Sequence, residues 1–337
     1  MGSCLMGNPW LYFLSLGIAM LWFILALTTA FLTACQDLFS KKSLTSLDSL
    51  VVTTWLGTIA AGVLGIVTWI QGVPELQPGF WWVLVANGSL NSVAFWVYNR
   101  ALKLGDLSLT APIAAFSPLF FFITSPLIVA EYPNRSDILG CVLVVLGSYG
   151  LNWEARRQGV WAPLRALWTQ PGSRLMLGVA LIWSVTANLD KAGVLRSSPI
   201  FWAFAVYSYV ALAIGGLLAS QTLHRRFFRR APLAPAPNPA PALPKPADSP
   251  PDPPLANPAP RRSIWPYLLI MGLCAALAVT IQMYALTLTL VVRVIAVKRL
   301  STLMGVVLGV VFLGERGLRY RLVGAAVMVL GVAVLLN

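Results

Sequence analysis

The chain has 337 residues with a formal net charge of +13, and 58% of the residues are hydrophobic whereas only 10% are charged. A typical soluble domain has about 25% charged residues, so this composition excludes a soluble globular protein. The excess of Lys and Arg forms no folded basic face of the kind that nucleic-acid binding requires, so we expect no nucleic-acid partner. The composition instead predicts an all-α integral membrane protein.

Ten apolar segments follow one another along the chain, and each is long enough to cross a hydrocarbon core about 30 Å thick. The first segment is too long, and lacks the preceding basic residue, to be a cleaved signal peptide. Since little of the chain is left for a separate domain, we expect the bundle itself to carry the function. The predicted membrane-spanning helices are residues 11–39, 47–70, 80–101, 107–130, 137–154, 173–192, 199–220, 264–286, 291–313 and 318–336.

One long segment has the composition of a chain that stays in water. Residues 231–260 contain thirteen prolines, with alanine, asparagine and aspartate among them, and basic residues flank the run on both sides. Such a segment cannot form a packed core and is typical of an extended, disordered linker. We therefore predict a linker at residues 221–263, between the seventh and eighth predicted helices.

The chain also contains an internal repeat. Residues 101–153 align with residues 285–337 without a gap, at an offset of 184. Earlier in the chain, Lys41 aligns with Lys191 at an offset of 150, and the inserted linker accounts for the difference between the offsets. The identities in the later alignment include Ala101 with Ala285, Ser117 with Ser301, Glu131 with Glu315, Gly140 with Gly324, and Gly147 with Gly331.

These alignments predict two five-helix repeats, at residues 1–154 and 173–337, with the linker interrupting the second. Because five is an odd number, the two copies must be inverted relative to each other in the membrane. Repeats of this kind are typical of secondary transporters, whose substrate site lies near the bilayer midplane between the halves. We therefore expect ten transmembrane helices arranged as two inverted five-helix repeats.

Short sequence patterns in both halves point to a known family. The first consists of Ala101-Leu102-Lys103-Leu104-Gly105-Asp106, Ala111-Pro112, Ser117-Pro118 and then Glu131. The second runs from Val297-Lys298-Arg299-Leu300-Ser301 to Leu313-Gly314-Glu315. Placed in two copies of a ten-helix chain, these patterns resemble the drug/metabolite transporter superfamily, EamA type. The long Pro-rich linker departs from the family pattern.

The resemblance implies a ten-helix carrier that works by alternating access around a central cavity built from both halves. The family exports amino acids, drugs or other metabolites, or moves sugar nucleotides, so the resemblance does not fix the substrate. We expect a secondary transporter of a small anionic or zwitterionic metabolite, without a cofactor, in the lipid bilayer of a bacterial inner (plasma) membrane. The chain has no ATP-binding loop, so an ion gradient, with protons as the candidate ion, or the substrate's own gradient would supply the energy.

Other classes of function fit the sequence less well. A membrane-embedded enzyme would need clustered carboxylates or histidines in a groove, and the sequence has none, so we expect no enzymatic activity. The alternative is a membrane assembly protein that uses the Pro-rich linker as a docking segment, but that role does not require polar stripes in several helices. The four cysteines are scattered and the single histidine adjoins the linker, so we expect no metal site.

Polar groups inside a membrane are costly and normally face the bundle interior, so they are the candidates for substrate contact. Lys298 and Arg299 lie inside the ninth predicted helix, where the first repeat has Ala114 and Ala115. Since neighbouring helical positions point about 100° apart, we expect one cation to line the cavity and the other to reach an interface or a partner helix. The pair is either an anchor for a substrate carboxylate or phosphate, or a snorkelling pair without ligand contact.

Polar stripes on three other predicted helices supply further candidates. Asn91 and Tyr98 share one face of the third helix, and Gln282 and Tyr284 lie at the corresponding position of the eighth. Asn188 belongs to a similar stripe on the sixth helix. We predict that these side chains bind the substrate together with the basic pair, although bonds between neighbouring helices are the alternative use of such stripes.

Two aspartates lie within predicted helices and are candidates for proton coupling. These are Asp37 in the first helix and Asp190 in the sixth. Asp37 precedes Lys41 by four residues, so an ion pair at the membrane interface is its alternative role. Glu131 is followed closely by Arg135, and we expect that pair to be local.

The distribution of basic residues predicts the topology. Apart from Lys298 and Arg299, 18 Lys and Arg lie on the linker side of the predicted bundle and four lie on the other side. The positive-inside rule therefore predicts a cytoplasmic linker with both termini outside.

A phosphatase fused after Asn337 should be active in the periplasm, and a fluorescent protein fused there that matures in the cytoplasm would contradict this topology.

Overall fold

The computed structural model describes residues 9–104, 116–151, 171–228, 264–313 and 318–336, and the regular secondary structure of these residues is entirely α-helical. Six helices are long and apolar enough to cross a membrane, and shorter apolar helices accompany them. The all-α membrane fold expected from the sequence is thereby confirmed. In chain order the described helices are α1 Pro9–Leu44, α2 Ser49–Gln71, α3 Phe80–Leu104, α4 Ser117–Val129, α5 Arg135–Leu151, α6 Pro171–Val194, α7 Pro199–Phe228, α8 Trp265–Leu288, α9 Val291–Lys298, α10 Leu300–Leu313 and α11 Leu318–Leu335.

Where the predicted spans fall on described residues they coincide with these helices, with ends that differ by a few residues. α7 continues beyond its predicted end to Phe228, so residues 221–228 of the predicted linker are helical. The rest of the predicted linker lies outside the described residues. The sequence patterns at 105–115 and 314–317, which include Pro112 and Glu315, also lie outside them.

The ninth predicted span, 291–313, consists of two helices rather than one. α9 ends at Lys298 and α10 begins at Leu300, with Arg299 between them. The backbone N–H of Arg299 bonds to the carbonyl of Ala296 as well as to that of Ile295, both at 3.1 Å, which tightens the last turn of α9. The break falls at the two adjacent cations, and neither Pro nor Gly is present there to signal it.

Helices from the two predicted halves pack against each other. α1 packs on α8, α2 on α7, α3 on α6, and α5 on α11, while α4 packs on α6 and α1 also packs on α10. Large side chains such as Trp202, Phe80 and Phe121 are fully buried between these helices. Trp69 and Trp82 are instead exposed, as expected for helices whose outer faces contact lipid.

Glycines allow α5 and α11 to approach closely. A Cβ added at Gly140 would lie 2.8 Å from the carbonyl oxygen of Gly331, and one added at Gly331 would lie 2.8 Å from that of Gly140. A Cβ at Gly147 would lie 2.5 Å from the backbone nitrogen of Met328 and 2.7 Å from the carbonyl oxygen of Gly324. Side-chain atoms do not approach backbone this closely, so the contact requires glycine, as at many membrane helix crossings.

Gly147→Ala should destabilise the protein by about 1–3 kcal/mol, because the added methyl group overpacks the contact between α5 and α11. Gly62→Ala is the matched control, since a Cβ at this helical position meets no atom within 4 Å. The control should be neutral or stabilising by up to about 1 kcal/mol, because alanine is the better helix former. Thermal unfolding of both purified variants in detergent measures the difference, and equal midpoints would contradict this packing.

Candidate functional site

A cavity of about 360 Å³ lies between α1, α3 and α4 of the first half and α6 to α10 of the second. Part of its wall is apolar and includes Phe95, Met176, Val206 and Met283. Polar and charged groups from several helices converge on the remaining wall. They are Thr33, Gln36, Asp37, Asn91, Tyr98, Ser117, Trp183, Thr186, Asp190, Tyr207, Gln282, Lys298, Arg299, Ser301 and Thr302.

Lys298 and Arg299 both line this cavity, although the helical geometry of the sequence predicted that only one would. Arg299 keeps helical backbone angles (φ −63°, ψ −15°), so the two side chains leave the backbone about 100° apart, and Arg299 reaches the cavity wall through its contacts with Ser117 and Trp183. The Lys298 Nζ donates to Gln282 Oε1 at 2.6 Å. The basic pair therefore places two adjacent positive charges on one wall of the cavity.

Arg299 makes its described contacts with neutral groups. Its guanidinium donates to the Ser117 hydroxyl and lies 5.8 Å from the centre of the Trp183 ring. Its Nε is buried and has no hydrogen-bond partner among the described residues. No carboxylate in the described part of the chain bonds to either cation of the pair. The pair thus presents unused N–H donors to a cavity, an arrangement suited to a carboxylate or phosphate group.

Asp190 is a fixed acidic group on the cavity wall. Its Oδ1 accepts from Asn87 Nδ2 at 2.5 Å and from the indole N–H of Trp202 at 2.9 Å. Asn87 Oδ1 in turn accepts from Asn91 Nδ2 at 2.8 Å, which orients the amide of Asn91. Trp202 lies against Gly193, where a Cβ would be 2.4 Å from the ring. The carboxylate is therefore held by a chain of hydrogen bonds that joins α3, α6 and α7.

Asp37 faces the cavity from α1 in a different manner. The residue is exposed, and it lies outside the chain of hydrogen bonds that holds Asp190. It lines the same cavity as Lys298 and Arg299. The cavity wall therefore contains two cations and two carboxylates, of which Asp37 is the less constrained.

The remaining predicted site residues divide between the cavity and other surroundings. Asn91, Tyr98 and Gln282 line the cavity, and the Tyr98 ring lies 5.3 Å from that of Trp183. Tyr284 is not among the lining residues and is 43% exposed, because it lies two positions beyond Gln282 and therefore about 200° around α8.

Asn188 is fully buried but also does not line the cavity. Its Nδ2 donates to Thr124 Oγ1 at 3.0 Å and to the carbonyl oxygen of Ser184 at 2.8 Å. Its Oδ1 accepts from the Ser125 hydroxyl at 2.9 Å. The amide is thus occupied by hydrogen bonds that hold α4 against α6, which is the alternative use of a polar stripe.

Ser117, Trp183 and Trp202 contribute to the site but were not predicted from the sequence. Ser117 carried a usable signal, because it is identical to the aligned Ser301, and both residues line the cavity. The two tryptophans read as ordinary membrane residues in the sequence. Their polar or aromatic role depends on neighbours from other segments, Arg299 and Asp190, that no local pattern brings together.

Comparison with known proteins gives consistent results. The sequence model of the EamA-like transporter family matches residues 20–153 and 253–337, which is more than half of the chain. A Sinorhizobium relative, named "Uncharacterized transporter in cobO 3'region", is 31% identical over 133 residues, which cover 38% of this chain and 93% of the relative. A solved structure named "Crystal structure of protein" has a TM-score of 0.65 at 18% identity and covers 93% of this chain and 95% of its own. The last likeness concerns the fold alone.

Trp202→Phe should lower the free energy of unfolding by about 1–3 kcal/mol, because it removes a donor from the buried Asp190 carboxylate while keeping an aromatic ring. Trp81→Phe is the control, since Trp81 is 65% exposed and its change should cost less than about 0.5 kcal/mol. Thermal unfolding in detergent compares the two. A Trp202→Phe variant as stable as the control would show that the indole N–H does not support Asp190.

Proposed function

Because the chain belongs to the EamA-like transporter family, we propose that it is a secondary transporter that moves a small acidic or zwitterionic metabolite by alternating access. The protein is a multi-pass membrane protein of a transporter family. The observation that carries the proposal is the convergence of Lys298 and Arg299 on one cavity without an acidic partner in hydrogen-bond contact among the described residues.

The basic pair argues for an anionic group on the substrate. A Lys or Arg near the centre of a membrane helix costs roughly 2.5–3.5 kcal/mol at insertion, so two adjacent cations require compensation. Gln282 and Ser117 supply neutral acceptors but no charge. A substrate carboxylate or phosphate would supply that charge, and the planar fork of Arg299 suits two-point contact with either group.

The other walls of the cavity argue for a small molecule that is not purely ionic. The volume of about 360 Å³ is within the range of pockets for small molecules, roughly 300–1,000 Å³. Phe95, Tyr98 and Trp183 give apolar and aromatic surface beside the basic pair. Asp37 and Asp190 lie on the same cavity and would accept an ammonium group of a zwitterion.

Helix pairing supports the two-repeat organisation, with repeats at 1–154 and 173–337. If the first to fifth predicted helices correspond to the sixth to tenth, the contact of α1 with α8 is equivalent to that of α6 with α3. The contact of α4 with α6 is likewise equivalent to that of α10 with α1. The glycines obey the same relation, since Gly140 faces Gly331 while its repeat counterpart Gly324 faces Gly147.

We assign proton coupling to Asp37 in preference to Asp190. Asp190 is held by two hydrogen-bond donors, whereas Asp37 lies outside that network. Asp37 lines the same cavity as the basic pair, so a substrate anion bound to that pair would lie close to its carboxyl group. The proposed location is the bacterial inner membrane, with the linker in the cytoplasm. The assembly role has no observation in its favour among the described residues.

Arg299→Ala should fold and insert normally and lower uptake of the transported acid at least tenfold, because the anion loses its two-point contact. Arg100→Ala is the control: it removes a positive charge from an exposed position beside Trp96, away from the cavity. Uptake of a panel of radiolabelled carboxylic acids, amino acids and phosphate esters into proteoliposomes identifies the substrate and measures both variants.

Arg299→Lys and Lys298→Ala complete the test. Arg299→Lys keeps the charge but not the planar fork, so it should recover only a small part of the uptake. If both alanine variants transport every acid in the panel at the wild-type rate, the basic pair does not bind the substrate and the proposal is wrong.

A further inference from the structure

We infer that Glu131 and Lys191 form a gate at one end of the cavity, and that this gate and the basic pair move together because α9 joins them. The inference rests on the proposed transport function, and it adds two positioning residues to the site. The end of the bundle where α4, α6 and α8 finish is called the Lys191 end, and the opposite end is called the linker end.

The gate is a compact set of bonds between four chain segments. The Glu131 carboxylate, which follows α4, pairs with the Lys191 ammonium of α6. Its second oxygen accepts from the backbone N–H of Val291, the first residue of α9, at 2.9 Å. Lys191 also donates to the carbonyl oxygen of Thr289, at the end of α8, at 2.7 Å. Glu131 thus pairs with Lys191, which belongs to the other predicted half. The local pair with Arg135 that the sequence predicted is wrong.

A second ion pair fixes the first turn of α9. Arg293 donates from Nε to Asp137 Oδ1 at 2.6 Å. Asp137 is fully buried, and its carboxylate also accepts from the backbone N–H of Asn134, which precedes α5. Asp137 therefore belongs to the cap of α5, so its removal would damage that helix. Glu131 likewise bonds to the first N–H of α9, but Glu131→Gln retains an oxygen that can accept that bond.

The gate lies directly behind the cavity wall. Lys191 follows Asp190, and Ile295 lies one turn beyond Val291, and both Asp190 and Ile295 line the cavity. The side chains of Lys191 and Glu131 are only 14% and 11% exposed. Met176 lines the opposite part of the cavity, which is nearer the linker end. The paired residues therefore separate the cavity from the Lys191 end.

The charges of Glu131 and Lys191 give the gate two stable arrangements, closed and open. Separating a buried ion pair while the surroundings stay dry leaves an uncompensated charge, which is strongly unfavourable. The pair is consequently stable either in contact and mostly shielded from water, as here, or separated and hydrated. Opening of the Lys191 end to water supplies the second condition, so separation of the pair and access from that end occur together.

α9 connects the gate to the basic pair, Lys298 and Arg299. Its eight residues, Val291–Lys298, span about 10 Å at 1.5 Å per residue, and such a short helix moves as a rigid unit. Glu131 holds the first residue of α9, and Lys298 at its end contacts Gln282 in the cavity. A displacement of Lys298 and Arg299 toward a bound anion therefore pulls on the bond to Glu131.

Cysteine accessibility tests the gate without a substrate. Ile295→Cys, in a chain whose native cysteines are replaced by alanine, places one thiol on the cavity wall beside the gate. A membrane-impermeant sulfonated maleimide is added to right-side-out and to inverted vesicles. A separate Glu75→Cys variant identifies which vesicles expose the Lys191 end, because Glu75 lies exposed in the segment between α2 and α3.

Glu131→Gln and Lys191→Met, each added to the Ile295→Cys chain, should raise the labelling rate of the introduced thiol from the Lys191 end at least tenfold and lower it from the linker end. Glu75→Gln, the same chemical change at an exposed acid on the same side, should alter neither rate. Glu131→Asp provides a milder variant with intermediate labelling if Glu131→Gln does not fold.

Unchanged labelling in the gate variants would overturn the inference. An equal increase from both ends would also overturn it, because that result means a loosened bundle rather than a gate. The labelling requires no transported acid, so failure of the proposed function and failure of the gate give different results.

Discussion

Two adjacent cations within an apolar, membrane-spanning segment impose a cost that the surrounding structure has to meet. Lys298 and Arg299 leave the backbone about 100° apart, because Arg299 keeps helical backbone angles. Both side chains nevertheless line one cavity, and α10 begins directly after them at Leu300. The neutral acceptors, the aromatic wall and the two carboxylates of the cavity are arranged around that pair.

The other buried polar groups hold the helices that form this cavity. Asp190, Asn87 and Trp202 join α3, α6 and α7 through hydrogen bonds, and Asn188 joins α6 to α4. In a membrane such bonds replace water that the groups cannot reach, so they fix the helices without a hydrophobic driving force. The glycine contact of α5 with α11 lies apart from the cavity and makes a second junction, which depends on close backbone packing.

Hydropathy alone predicted the positions of the helices, because each must satisfy its backbone polar groups within one apolar segment. It did not predict the break at Arg299, since no Pro or Gly marks the site. Polar periodicity found Asn91, Tyr98 and Gln282 but also selected Tyr284 and Asn188, because one stripe cannot tell the cavity from a helix contact or an exposed face. The pairing of Glu131 with Lys191 joins residues 60 positions apart, beyond any local pattern.

Calorimetric titration of the purified protein tests the central claim, that the basic pair binds the anionic group of the substrate. The ligands are a transported acid and its uncharged amide, which has nearly the same shape. We expect the amide to bind at least about 100-fold more weakly than the acid, and Arg299→Ala to reduce this ratio below about tenfold. Equal affinity of the wild-type protein for the acid and the amide would contradict the account.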